Sequence, residues 1–253
     1  MRRFLAGFVL FGLLVLPACS GGGKQGVLPL PTTPGAAPDG TATTEAPRPT
    51  LDPNLAYVAT AQVPAVAVYD EPDQPEPSST IRNPNPAYGT PRVFLVQEEK
   101  GDWIKVLLPT RPNGSAGWVR KSDVMIEHHD YRMMIELGAH RMVVYKGKDV
   151  FFEGPVGLGA SSTPTPTGLF YTTELLIPPP DQPFYGAYAY GISGHSEVLN
   201  DFLGGDGQVG IHGTNDPSSV GRNVSNGCVR MTNENIIKLA ETLPIGVPVE
   251  IKA

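Results

Sequence analysis

From about residue 56 to the C-terminus, the sequence is a succession of short β-branched or aromatic runs separated by turn-forming residues. Residues 65–69, 92–96 and 103–108 are runs of this kind, and residues 83–86 and 111–114 are turn segments rich in Pro, Asn and Gly. Strands need only about 4–8 residues, whereas a helix needs a longer periodic pattern. The pattern therefore predicts a mainly β chain with little helix.

The segment 20–55 has a different composition, rich in Gly, Pro, Thr and Ala with almost no large apolar residues. Such a segment cannot bury enough apolar surface to offset the entropy lost on ordering. We therefore expect residues 20–55 to be a disordered linker.

Residues 1–19 have the pattern of a targeting segment. Arg2 and Arg3 precede an apolar stretch that is too short for a stable membrane-spanning helix. The stretch ends in Leu-Pro-Ala-Cys at 16–19, which resembles the bacterial lipobox and implies lipidation of Cys19. Ordinary secretory cleavage or a retained anchor are the alternatives. Each of these readings predicts an extracytoplasmic protein of the cell envelope, and lipidation adds an anchor in the membrane.

Residues 56–127 are expected to form a small β domain. Its second half places Trp103 in a strand-like run, follows it with an Asn-Gly turn, and ends in Gly-Trp-Val around Trp118. This pattern resembles a bacterial Src-homology-3-type barrel, a module that often binds wall peptides. The alternative is a structural spacer in which both tryptophans are core residues.

Residues 128–253 are expected to form a second, mainly β domain, with strands at 131–137, 141–146, 149–156 and 247–251. One helix is predicted from Asn233 to Leu243 on the basis of its apolar spacing. Thr232 or Asn233 could cap its start, and Pro244 would stop it.

Charge and cysteine content narrow the function classes. A formal net charge of -6 argues against a general nucleic-acid binder, which needs a basic surface to neutralise phosphates. The chain has two cysteines, Cys19 and Cys228. If Cys19 carries lipid, Cys228 has no partner within the chain and is either a reactive thiol or an inert buried one.

The residues around Cys228 offer the groups that a thiol nucleophile needs. His212, sixteen residues upstream, could take the thiol proton if a loop brings the two together. Gly227 leaves the approach to the thiol open and frees backbone N–H groups for an oxyanion. Arg230 would lie on the same side of an extended segment as Cys228 and could bind a substrate carboxylate.

Three segments in order carry a family resemblance: Thr-Pro-Thr-Pro-Thr-Gly-Leu-Phe at 163–170, His-Gly-Thr at 212–214, and Ser-Asn-Gly-Cys-Val-Arg-Met at 225–231. Together they resemble the L,D-transpeptidase family, also called YkuD-type, over about residues 130–252. The resemblance implies a YkuD-like β-sandwich. Asn226 stands where many members have a second histidine, so the resemblance implies no second imidazole.

The resemblance also implies roles for individual residues. Cys228 matches the nucleophile and His212 the general base. The supporting positions are the oxyanion donors Gly227 and Cys228, the hydroxyl of Ser225, the Gly213 carbonyl that orients the histidine, and Arg230 beside the active centre.

The implied reaction is acyl transfer. Cys228 would form a thioester with a peptidoglycan tetrapeptide stem and pass it to an amine, giving 3→3 cross-links when the amine lies on the third residue of a neighbouring stem. Carbapenems would acylate Cys228. No metal or cofactor is expected, since His128, His129, His140 and His195 lack metal-ligand spacing. The alternatives are a non-catalytic peptidoglycan-binding lipoprotein, an L,D-carboxypeptidase that uses water, and a thiol endopeptidase of another fold.

Overall fold

The computed structural model of the chain describes residues 51–201 and 204–253. The predicted signal peptide, the lipidation site Cys19 and residues 20–50 of the predicted linker lie outside the described residues. Within the described ranges, no helix combines the length and apolar character needed to cross a bilayer.

The described residues form seventeen strands and one α-helix, so the mainly β prediction is confirmed. Their bounds are β1 (Ala56–Ala61), β2 (Ala65–Val68), β3 (Ser79–Arg82), β4 (Val93–Lys100), β5 (Trp103–Leu107), β6 (Ala116–Arg120), β7 (Val124–His129), β8 (Tyr131–Glu136), β9 (Arg141–Lys146), β10 (Asp149–Pro155), β11 (Leu158–Gly159), β12 (Gly168–Leu176), β13 (Ala189–His195), β14 (Gln208–His212), β15 (Asn223–Ser225), β16 (Val229–Arg230), α1 (Asn233–Ala240) and β17 (Pro248–Lys252).

The first part of the chain builds an antiparallel five-stranded sheet in the order β6-β5-β4-β1-β7, together with the β2–β3 hairpin. Trp103 and Trp118 are buried with Tyr69 in one cluster. Both tryptophans are therefore core residues. The resemblance to a Src-homology-3-type barrel and the choice between a wall-peptide-binding module and a spacer stay predictions. β7 remains paired with β1 as far as His129, two residues beyond the domain boundary expected at 127.

The second part builds an eight-stranded sheet in the order β10-β9-β8-β17-β12-β13-β14-β16. Two of its pairings are parallel, β17 with β8 and β14 with β16, and the latter pairing positions the candidate site. A parallel two-stranded sheet of β11 and β15 lies outside it.

The helix α1 packs Ile236 and Leu239 into the core of the second part. Thr232 caps the helix, since its side chain accepts a hydrogen bond from the Asn235 N–H at 3.3 Å. The helix ends at Ala240, three residues before the predicted end. The backbone hydrogen bonds become irregular beyond it, although Leu243 still bonds to the Leu239 carbonyl at 2.8 Å.

The two parts belong to one compact unit. Tyr171 of β12 packs against Val58, Val93 and Leu95 of the first sheet, and its hydroxyl donates to the Val93 carbonyl at 3.1 Å. The turn after β5 adds polar contacts, because the Arg111 guanidinium donates to three carbonyls, those of Ser196 (2.6 Å), Leu199 (2.9 Å) and Asp206 (2.9 Å).

Candidate active site

Cys228 lies in the turn that leads into β16. β16 runs parallel to β14, with Val229 opposite Ile211 and Arg230 opposite His212. Cys228 is a free, partly exposed thiol, and the Gly210 N–H on the neighbouring strand donates to its sulfur at 3.4 Å. The loop between the two motifs therefore returns the chain to an adjacent strand, so Cys228 lies directly before β16, beside the strand β14 that ends at His212.

The turn that presents Cys228 is held by the hydroxyl of Ser225, which is only 2% exposed. This hydroxyl donates to the Cys228 carbonyl at 2.6 Å and accepts from the Gly227 N–H at 3.1 Å. Gly227 has φ 113°, a conformation that side chains rarely adopt. Because its N–H is engaged by Ser225, the oxyanion role of Gly227 stays a prediction, and the structure gives this residue a conformational role.

The Thr- and Pro-rich segment before β12 braces the same turn from outside. The Ser225 carbonyl accepts from the Ala160 N–H at 2.8 Å and from the Thr163 hydroxyl at 3.0 Å. The Thr165 hydroxyl in turn accepts from the Gly159 N–H at 2.9 Å. This segment therefore fixes the backbone that carries the thiol.

His212 is 2% exposed, and its Nδ1 lies 2.5 Å from the Gly213 carbonyl oxygen. A carbonyl only accepts, so Nδ1 carries the proton and Nε2 keeps its lone pair. Burial, together with the nearby charge of Arg230, lowers the pKa of His212 to about 4, although the hydrogen bond to the Gly213 carbonyl opposes the shift. The imidazole is therefore neutral at pH 7 and able to accept a proton.

Burial also raises the pKa of the Cys228 thiol, although the Gly210 N–H and the charge of Arg230 oppose the shift. Desolvation disfavours the charged form of a group, and surrounding protein desolvates the Cys228 sulfur although the residue keeps some exposed surface. The resting pair is therefore a neutral thiol and a neutral imidazole, which suits proton removal during attack rather than a thiolate formed in advance.

Arg230 influences both groups from its place opposite His212. Its backbone pairs with Gly157, with both hydrogen bonds at 2.8 Å. Its Nε is buried and has no hydrogen-bond partner among the described residues. Binding of a substrate carboxylate by Arg230 stays a prediction.

A cavity of 440 Å³ opens beside Cys228. Of the site residues predicted from the sequence, Cys228 is the one that lines this cavity within the described ranges. The lining residues are Tyr88, Glu174, Leu176, Ile177, Pro178, Pro179, Gln182, Tyr185, Ala189, Tyr190, Gly191, Gly205, Gln208, Val209, Gly210 and Cys228.

Sequence reasoning left out several of the residues that shape this site. Tyr185 packs edge-on against the His212 ring, with centroids 4.9 Å apart. The side-chain oxygen of Asn233 accepts from the Ala187 N–H at 3.0 Å and the Thr214 N–H at 3.2 Å, so it ties together the loops beside Tyr185 and His212. In the sequence, Asn233 is recognisable only as a candidate helix cap, and nothing distinguishes Tyr185 from the other aromatic residues in the segment 184–190.

Tyr88 and Glu174 are also absent from the motifs. Tyr88 comes from the first part of the chain, in the loop between β3 and β4. Glu174 is a buried acid near the C-terminal end of β12. A charged residue inside a run of strand formers is the one signal that sequence offers for Glu174.

Residues 130–251 match the family model described as YkuD, the L,D-transpeptidase catalytic domain. The chain is 36% identical over 121 residues to YkuD, a candidate L,D-transpeptidase of Bacillus subtilis (strain 168). That alignment covers 48% of this chain and 65% of the relative, so the chain spans just under two thirds of that protein's length. A second candidate L,D-transpeptidase of the same organism, YqjB, is 52% identical over 52 residues, covering 20% of this chain and 30% of the relative.

An L,D-transpeptidase structure from Mycobacterium smegmatis is 16% identical and covers 64% of this chain and 90% of that chain, with a TM-score of 0.40. Similarity at that TM-score adds nothing to the assignment. The family model and the sequence relatives together support a YkuD-type L,D-transpeptidase catalytic domain over residues 130–251.

Proposed function

We propose that this protein is an L,D-transpeptidase that carries the acyl group of a peptidoglycan tetrapeptide stem on Cys228 and transfers it to an amine. The observation that carries the proposal is the free thiol of Cys228 on the wall of a 440 Å³ cavity, next to the strand that holds His212. Nε2 of that imidazole is left unprotonated by the Gly213 contact.

In the first half-reaction, the sulfur of Cys228 attacks the carbonyl carbon before the terminal D-amino acid of the stem. The thiol proton passes to Nε2 of His212, and the imidazolium then gives it to the departing amine as the C–N bond breaks. The thioester remains on Cys228, and the D-amino acid leaves.

In the second half-reaction, a neutral amine attacks the thioester carbon and the C–S bond breaks. The proton that the amine loses passes to His212 and from there to the displaced sulfur, which restores the thiol. An amine on the third residue of a neighbouring stem gives a 3→3 cross-link. Attack by water instead releases a tripeptide, which is carboxypeptidase activity.

We further propose an extracytoplasmic location at the cell envelope, with a membrane anchor through lipid on Cys19. This proposal is supported by the apolar stretch and lipobox-like residues at 4–19. Metabolic labelling with a radioactive fatty acid tests it, since Cys19→Ala should abolish the label while Cys228→Ala retains it. A fully labelled Cys19→Ala protein would contradict lipidation.

The catalytic assignment is tested by incubation with a carbapenem followed by intact-mass analysis. We expect one covalent adduct on wild type and none on Cys228→Ala. His212→Ala should form the adduct at least ~100-fold more slowly, in line with the loss of a general base. Lys148→Ala, which changes an exposed residue between β9 and β10, is the matched control.

Turnover of a purified tetrapeptide stem separates the remaining outcomes. Dimeric products indicate transpeptidation, and tripeptide alone indicates a carboxypeptidase. Folded wild type that forms no adduct and turns over no stem would instead favour a non-catalytic wall-binding protein.

A further inference from the structure

Glu174 and Cys228 lie at opposite ends of one row across the large sheet. Glu174 on β12 is opposite Gly191 on β13, and Gly191 is opposite Gly210 on β14. The row continues to Cys228 in the turn before β16, because the Gly210 N–H donates to the Cys228 sulfur and Glu174 and Cys228 line the same cavity. Residues opposite each other on adjacent strands place their side chains on the same face, so the acid and the thiol share a face.

The two residues between them are glycines, which leaves a trough where side chains would otherwise stand. The Glu174 side chain leans into this trough, since a Cβ at Gly191 would collide with its Oε1. Strands are about 4.8 Å apart, so the carboxyl group above Gly191 lies roughly 5–10 Å from the sulfur above Gly210. A peptide acyl group bound at the sulfur could reach the acid with a nearby substituent.

The charge of the cavity favours a cationic group at that end. Among the described residues that line the cavity, Glu174 is the one whose side chain is of a type ordinarily charged at neutral pH. It is 2% exposed. Its Oε1 accepts a hydrogen bond from the Gln208 amide at 2.9 Å, which holds the carboxyl in place without neutralising it.

Burial raises the pKa of Glu174, while hydrogen bonds from Thr173 and Gln208, the charge of Arg92 and a hydrogen bond from Asn85 oppose the shift. A buried acid of this kind is stabilised in its charged form by a positive partner. Arg92, which does not line the cavity, supplies part of this positive charge, and a substrate ammonium in the trough would add to it from the cavity side.

Resting on the function proposed above, we propose that Glu174 and the Gly191–Gly210 trough form a subsite that binds a primary ammonium group of the peptidoglycan substrate. The ammonium has two possible sources. It is either the side-chain amine on the third residue of the donor stem or the amine of the acceptor. Hydrogen bonds to charged groups are the stronger kind, and we expect an effect of at least ~10-fold.

The experiment compares wild type with Glu174→Gln in two arms. In the donor arm, acylation of Cys228 is timed by intact mass, using a tetrapeptide stem with lysine at position three and the same peptide acetylated on that amine. In the acceptor arm, the enzyme is first acylated with the acetylated donor. Water and the lysine amine of a tripeptide stem then compete for the acyl group, and the products of hydrolysis and aminolysis are measured.

If the donor supplies the ammonium, wild type prefers the free-amine donor by at least ~10-fold and Glu174→Gln loses the preference. If the acceptor supplies it, both proteins acylate equally and the ratio of aminolysis to hydrolysis falls by at least ~10-fold in the variant. Glu98→Gln, an exposed acid on β4, is the control and should match wild type in both arms.

Two further measurements keep the test independent of folding. Glu174→Asp retains the charge and should recover part of the lost preference. With wild type alone, methylammonium chloride should compete with the amine-bearing peptide, and potassium chloride at the same concentration should not.

Normal acylation of wild type with no change in either arm for Glu174→Gln, and no competition by methylammonium, would overturn the subsite while leaving the proposed function intact. Wild type that no stem acylates would overturn the proposed function and the subsite together.

Discussion

Desolvation sets the ionisation of both side chains of the proposed catalytic pair, His212 and Cys228. The pKa of His212 is lowered to about 4 and that of the Cys228 thiol is raised, so neither is charged at neutral pH. In this state the thiol needs a base at the moment of attack, and His212 is competent as a base whenever it is neutral. Acylation should therefore depend on pH through the low pKa of His212.

The expected profile is a plateau in the rate of carbapenem adduct formation from about pH 5 to pH 8. Below pH 4 the rate should fall tenfold per pH unit, because His212 becomes protonated there. The rate is followed by intact mass, with circular dichroism to confirm that the protein remains folded. His128→Ala, an exposed histidine on β7, should give the same profile. A half-maximal rate at pH 6 or above would contradict a buried, neutral base.

At the scale of elements, the start of α1 positions the loops around the site. Asn233 opens the helix, and its side-chain oxygen bonds to the Ala187 and Thr214 N–H groups. Neither Gly186 nor Gly213 could carry a Cβ without colliding with that oxygen. The helix therefore supports the loops as well as the core.

Replacing Asn233 with Ala should leave two backbone N–H groups without their partner. We expect a loss of about 1–3 kcal/mol in the free energy of unfolding, together with slower acylation, as the loop beside His212 loosens. Asn233→Asp retains the acceptor oxygen and should remain close to wild type. Denaturant unfolding and adduct kinetics check the pair, and equal stability of the Ala and Asp variants would contradict the bracing role.

The parts of the fold and of the candidate site that could be predicted from the sequence are those formed by residues close together in the chain. The strands at 131–136 and 141–146, the helix start and the two motifs around His212 and Cys228 are local patterns, and local patterns can be recognised directly. Glu174 belongs to the site only through a register that spans β12, β13 and β14. That register follows from the pairing of distant strands, so no local pattern reveals it.

The contacts of Arg111 also depend on distant residues. Residues 111–114 can be recognised in the sequence as a turn, but the three carbonyl groups to which Arg111 donates lie 85 to 95 residues further along the chain.

At the scale of the whole molecule, Arg111 links the first sheet to the segment after β13. Its partner carbonyls at Ser196, Leu199 and Asp206 lie just before Gln208, which lines the cavity. Asn113 adds a reciprocal pair with the backbone of His195, at 2.8 and 2.9 Å. The first sheet therefore helps to hold one wall of the cavity.

Arg111→Ala should lower the free energy of unfolding by about 1.5–3 kcal/mol, since these hydrogen bonds come from a charged donor. It should also speed amide hydrogen exchange in residues 195–208. Arg82→Ala, an exposed arginine on β3, is the matched control for loss of charge. Exchange in residues 195–208 that is unchanged by Arg111→Ala would contradict this link.

Tyr88 lies 47% exposed at the cavity, on a loop that belongs to the first sheet rather than to the residues matched by the family model. Asn85 shapes that loop, because its backbone carbonyl accepts from the Gly89 N–H at 2.7 Å and its side chain from the Ala87 N–H at 3.0 Å. A covalent inhibitor extended from Cys228 towards Tyr88 would touch a surface that the shared catalytic domain does not encode. The non-covalent part of such an inhibitor would then determine its selectivity among enzymes that share similar catalytic motifs.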